Sequence, residues 1–165
     1  MNEGLGLLLS VLVGAPGLIC MLTLGTVLFP RIVRLAQRAA AAMPGRSLLL
    51  GVVNLLFLTA LVVVLTAAGE RASSRSGVLE LLALAPALVL ASGLTVGLAA
   101  MSALIGDRLV PLRGPISQVL IGAAAIVLAG LTPLLGWFLF FPYIALVGLG
   151  GVVIGLFSRA PEPPG

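Results

Sequence analysis

Apolar positions in this chain come in long unbroken blocks, without the short polar–apolar periods of a soluble domain. From Pro115 to Ser158, 44 consecutive positions hold no Asp, Glu, Lys, Arg or His. One crossing of a ~30 Å hydrocarbon layer takes about 20 helical residues. The run is therefore about twice the length of one span and has to fold back. Three further apolar blocks, at about Leu5–Phe29, Ser47–Ala68 and Val78–Ile105, precede it. In lipid every backbone polar group must be satisfied within the element, so each block predicts a helix.

The punctuation between blocks is also informative. Pro16, flanked by Gly14 and Gly17, predicts a kink in the first span. From Pro30 to Arg46 the pattern changes. Arg31, Arg34 and Arg38 recur every three to four residues and share one helix face, while Ile32, Leu35 and Ala39 share another. Pro30 suits a first helical turn, and Pro44-Gly45 suits a stop. This segment predicts a short amphipathic elbow at the membrane surface, where its arginines meet lipid head groups.

Within the spans, Asn54 predicts an interhelical hydrogen bond, because a lone amide in hydrocarbon needs a partner. Gly93 and Gly97 form one GxxxG pair, and Gly151 and Gly155 form another. Such pairs predict close helix–helix contacts. The fold-back in the uncharged run is expected at Thr132-Pro133, followed by Gly136. Trp137, Phe138, Phe140, Phe141 and Tyr143 crowd behind it, five of the chain's eight aromatics, and such rings favour the membrane–water interface. Spans are then expected at Ile116–Leu131 and Trp137–Phe157. The fold class is an all-α polytopic transmembrane bundle of five spans, or four plus a re-entrant hairpin. It forms a single transmembrane domain over 1–158 with a disordered proline-rich tail over 159–165.

Composition agrees with this reading. The chain has 165 residues, 61% hydrophobic and 8% charged, against about 25% charged in an average protein. All nine basic residues are Arg. Basic residues beside apolar segments set orientation and contact anionic lipid, so nucleic acid is not expected as a partner. With five spans, Arg31, Arg34, Arg38, Arg46, Arg108, Arg113 and Arg159 fall on one side, and Arg71 and Arg75 on the other. The imbalance places the N-terminus outside and the C-terminus in the cytoplasm. The opening Met1-Asn2-Glu3-Gly4 lacks the basic start of a secretory signal, so the first block reads as a retained span.

Side-chain chemistry is sparse. The sequence has no His and no Lys, one cysteine (Cys20), and one aspartate (Asp107). His-ligated metal or haem sites, a Schiff-base lysine, a Ser–His pair and an aspartyl dyad at depth all lack their residues. No cofactor, no metal and no catalytic residue is expected, and the chain does not read as an enzyme. Glu80, in the first turn of the third span, is the one candidate for a transport role. Asn54, Thr59, Thr95, Ser102 and Gln118 are the candidates for a narrow polar seam.

Two stretches, FPRIVRLAQRAAAAMPGRSLLLGVVNLL (Phe29–Leu56) and IGDRLVPLRGPISQVLIGAAAIVLAGLTPLLGWFLFFPYIALVGLGGVVI (Ile105–Ile154), carry a pattern. An Arg-rich elbow ends in Pro before a Leu/Gly span. A late P-x-x-G-W turn (Pro133, Gly136, Trp137) precedes a glycine-rich last span. This resembles the multi-pass membrane region of bacterial bactofilin-like, polymer-forming membrane proteins. The 165 residues depart from that pattern in holding no segment that reads as a β-helical polymerising domain. The resemblance implies a bacterial inner-membrane protein with a scaffold role and carries over no catalytic residues. The expected function is a non-enzymatic membrane scaffold or accessory subunit, associating with itself or with other membrane proteins through its small-residue faces. The alternative is a small oligomeric transporter or channel.

Overall fold

The computed structural model describes residues 2–71, 76–112, 114–130 and 136–157. The proline-rich tail, the Thr132-Pro133 turn, Arg75, Arg113 and Arg159 lie outside the described residues, as do the side chains of Arg71, Glu80 and Trp137.

Among the described residues six α-helices follow one another: α1 (Asn2–Leu28), α2 (Pro30–Ala42), α3 (Pro44–Arg71), α4 (Ser76–Leu109), α5 (Pro115–Gly130) and α6 (Phe141–Phe157). A π-helical turn, Gly136–Phe140, leads into α6. Pro142, in the first turn of α6, explains that turn. Its ring excludes the carbonyl four residues back and it has no N–H to donate, and a widened turn relieves both. Two prolines lie within helices, Pro16 in α1 and Pro86 in α4.

Among the described residues the candidate spans number fewer than five. Three helical stretches are long and apolar enough to cross a bilayer: Pro44–Glu70, Leu81–Leu109 and Phe138–Phe157. A fourth is reached only if Pro16–Leu28 and Pro30–Ala42 count as one broken span, and these two meet at 104°. The bend has a local cause, since Pro30 carries no N–H to continue α1. The shortfall also lies in α5, which has 16 residues and reaches only ~24 Å. The chain does fold back after it, as the uncharged run requires. A side chain on Gly136 would collide with the carbonyl of Ala129.

Neighbouring helices alternate in direction. Gly150 lies on Ser47 and Gly51 on Leu146, so α3 and α6 run antiparallel. Gly122 lies on Ser102 and Gly106 on Gln118, so α4 and α5 do too. One end of the bundle therefore gathers the start of α3, the end of α4, the start of α5 and the end of α6. Arg46 and Arg108 are at that end, and Arg71 closes α3 at the other. Helix α6 is central: it packs on α2, α3 and α4, and 44% of its apolar stretch is buried. Helix α3 is peripheral, with 6% buried.

Helix α2 is amphipathic and packed. Val33, Ala36 and Ala40 are its buried face. Ile32, Leu35 and Ala39, expected to form the apolar face, are half-buried and flank it. The small side chains of Ala36 and Ala40 allow the closest approach to α6, and this turns the helix by about one position. Leu22 of α1, Val96 and Ala99 of α4, and Val119 and Ala123 of α5 complete the core cluster around Val33 and Ala36.

Candidate functional site

The glycines of the two GxxxG pairs all sit against other helices of the same chain. A Cβ on Gly97 would stand 2.5 Å from the carbonyl carbon of Gly148, and one on Gly93 would stand 2.8 Å from a methyl of Leu149. A Cβ on Gly151 would stand 2.8 Å from the carbonyl oxygen of Ala36, and one on Gly155 would stand 3.0 Å from Leu35. The first pair thus joins α4 to α6, and the second joins α6 to α2. These faces are thus in use within the chain. Gly51, Gly106, Gly122 and Gly150 make equally close contacts on backbone atoms of other helices. Gly150 belongs to the glycine-rich last span that the sequence marks for close packing; Gly51, Gly106 and Gly122 were missed, because an isolated glycine in a span carries no signal.

The candidate polar seam is not assembled. Thr95 Oγ1 donates to the carbonyl of Ala91 (2.8 Å) and Ser102 Oγ to that of Leu98 (2.9 Å), each within its own helix. Thr59 is exposed on α3. Gln118 Nε2 donates to Asp107 Oδ1 at 3.1 Å and lies 3.5 Å from the carbonyl oxygens of Val110 and Pro111. It ties the end of α4 to the start of α5. The interhelical hydrogen bond expected of Asn54 is not made among the described residues. Asn54 is half-buried on the stripe of Ser47, Gly51 and Leu58 that faces α6. On the same stripe Ser47 is fully buried, and its Oγ has no hydrogen-bond partner.

The strongest concentration of charge is on α2. Arg31, Arg34 and Arg38 are exposed and, with Leu35 between them, line an open cleft of about 200 Å³. The spacing of three and four residues puts the three guanidinium groups on one face, opposite the Val33–Ala36–Ala40 face held by the bundle. None of the three makes a hydrogen bond or ion pair among the described residues. Cys20, on α1, is exposed and unpaired.

No family model, no curated protein and no solved structure matches this chain.

Proposed function

We propose that the protein is a non-enzymatic integral membrane scaffold or accessory subunit, and that it holds other membrane components in a fixed arrangement. The observation that carries this reading is the backbone-on-backbone packing of α2, α3, α4, α5 and α6 at Gly51, Gly97, Gly106, Gly122, Gly148 and Gly150. Small-residue faces bring helix backbones into close van der Waals contact and hold the pairs together in lipid, as a platform requires. The likeness of Phe29–Leu56 and Ile105–Ile154 to bactofilin-like membrane regions agrees with a scaffold in a bacterial inner membrane. The Arg-rich bundle end then faces the cytoplasm. With the glycine faces occupied within the chain, the peripheral helix α3, with Leu49, Val53, Leu56 and Phe57 outward, is one exposed apolar surface for a partner subunit or a second copy.

The test is extraction of the tagged protein from its native membrane in mild detergent, followed by mass determination of the intact particle. A fixed ratio with another membrane protein, or a defined homo-oligomer without transport activity, is expected. A particle whose liposomes conduct ions, with the flux abolished by Glu80→Gln, would overturn the scaffold reading in favour of a channel or carrier.

A further inference from the structure

We propose that Arg31, Arg34 and Arg38 form a binding site for the phosphate of one anionic phospholipid, and that the bound lipid braces α2 against α6. The inference goes beyond the scaffold reading and does not depend on it.

Depth is the first argument. Helix α2 touches α6 at Gly151 and Gly155, six and two residues before α6 ends at Phe157. Along a helix those intervals are ~9 and ~3 Å. If Phe157 marks the end of the span, α2 lies within about two turns of the boundary between acyl chains and head groups. Arginine stems reach several ångströms, so guanidinium groups leaving α2 at this depth meet the phosphate layer.

Charge is the second. Three guanidinium groups on one helix face repel one another, and among the described residues none has an anionic partner. Intramembrane and near-boundary arginines are stabilised by pairing. A phosphate offers oxygens that match the guanidinium fork in a bidentate way. The groups are also gathered around a cleft with Leu35 at its apolar side, and Leu28 and Phe29, just before α2 in the chain, are exposed. A phosphate with an attached acyl chain fits a charged cleft with an apolar border better than a free anion does.

Coupling is the third. Leu35 lines the cleft and is also the residue against which Gly155 packs. A ligand seated on the arginines acts on the α2–α6 contact through this one side chain, so occupancy should raise the stability of the whole bundle.

The experiment is thermal unfolding of the full chain in a neutral detergent, with phosphatidylglycerol, phosphatidylcholine or inorganic phosphate added. Phosphatidylglycerol is expected to raise the Tm by about 5 °C at saturation, with no shift from the other two. The double variant R34Q/R38Q should lose that increment, whereas R108Q, an arginine at the same end but outside the cleft, should keep it. Equal shifts from both lipids would overturn the proposal, as would a double variant that retains the increment or an equal loss in R108Q. A full shift from inorganic phosphate would assign the cleft to a soluble anion. If the double variant fails to fold, native mass spectrometry of the wild-type protein in mixed lipid decides the matter. Retained phosphatidylglycerol supports the site, and retention of neither lipid or both equally overturns it.

Discussion

Gly97 and Gly148 meet backbone to backbone: a Cβ on Gly97 would stand 2.5 Å from the carbonyl carbon of Gly148, and one on Gly148 would stand 2.5 Å from the carbonyl oxygen of Gly97. Nothing flexible lies between α4 and α6 at this point, so a methyl group has to move one helix away from the other. Gly97→Ala is expected to lower stability by about 1–3 kcal/mol, the usual cost of overpacking. The double variant with Gly148→Ala should cost less than the sum of the singles, because one separation admits both methyls. Gly17, with nothing within 4 Å of a built Cβ, is the control. Gly17→Ala should be neutral or stabilising, since helical glycine is ~1 kcal/mol worse than alanine. Thermal unfolding in detergent measures all four proteins. Equal behaviour of Gly97→Ala and Gly17→Ala would refute the contact.

That contact shows how far the sequence could be read. A GxxxG pair says that some backbone comes close to Gly97, but not which one. Gly148 is the answer only because α6 comes back alongside α4. The reversal itself was legible, since 44 uncharged residues exceed one span. The amphipathic elbow was legible too, because Pro30 starts it and three arginines mark one face. The count of five was not: the shortness of α5 was visible, since its 16 residues match the expected Ile116–Leu131, but hydropathy does not register which short helix fails to cross. Nor does it register that α1 and α2 meet at 104°. The contacts of Gly51, Gly106 and Gly122 were hidden for a simpler reason: a single glycine in a span looks like any small residue.

Ser47 illustrates a buried polar group in the wrong company. It is fully buried where α3 meets Gly150, and its hydroxyl has no partner. A buried hydroxyl without a hydrogen bond costs about 1–3 kcal/mol. Ser47→Ala removes the hydroxyl and leaves only a small void. It is expected to raise stability by about 1 kcal/mol, read as a higher Tm. A clear loss of stability would mean that the hydroxyl is bonded.

Gln118 fastens the α4–α5 connection. Its amide reaches Asp107 Oδ1 at 3.1 Å and the carbonyl oxygens of Val110 and Pro111 at 3.5 Å each. Gln118→Leu removes all three contacts while keeping the size of the side chain. The expected cost is about 1 kcal/mol, concentrated at the end of α4. Limited trypsin treatment should cut faster after Arg108 in this variant than in wild type. Asp107→Asn keeps an oxygen acceptor at the same place and should cut at the wild-type rate. An unchanged rate in Gln118→Leu would show that the clamp does not hold the connection.

Orientation can be tested at the two ends of α3 and α4. The structure sets Arg46 and Arg108 at one end of the bundle, and Glu70 and Arg71 at the other. Among the described residues the first end holds Arg46 and Arg108, with Arg31, Arg34 and Arg38 of α2 packed near it, against Arg71 at the second. Basic residues near span ends are retained in the cytoplasm, so the first end should face inward. Cys20 is exposed and must first be changed to Ala. In that background Glu70→Cys should react with a membrane-impermeant maleimide in intact cells. Arg108→Cys should react only after the membrane is opened. The reverse pattern would invert the topology while leaving α4 as a span. Reaction of both positions from the same side would mean that α4 does not cross, and the bundle end shared by Arg46 and Arg108 would then have no membrane face at all.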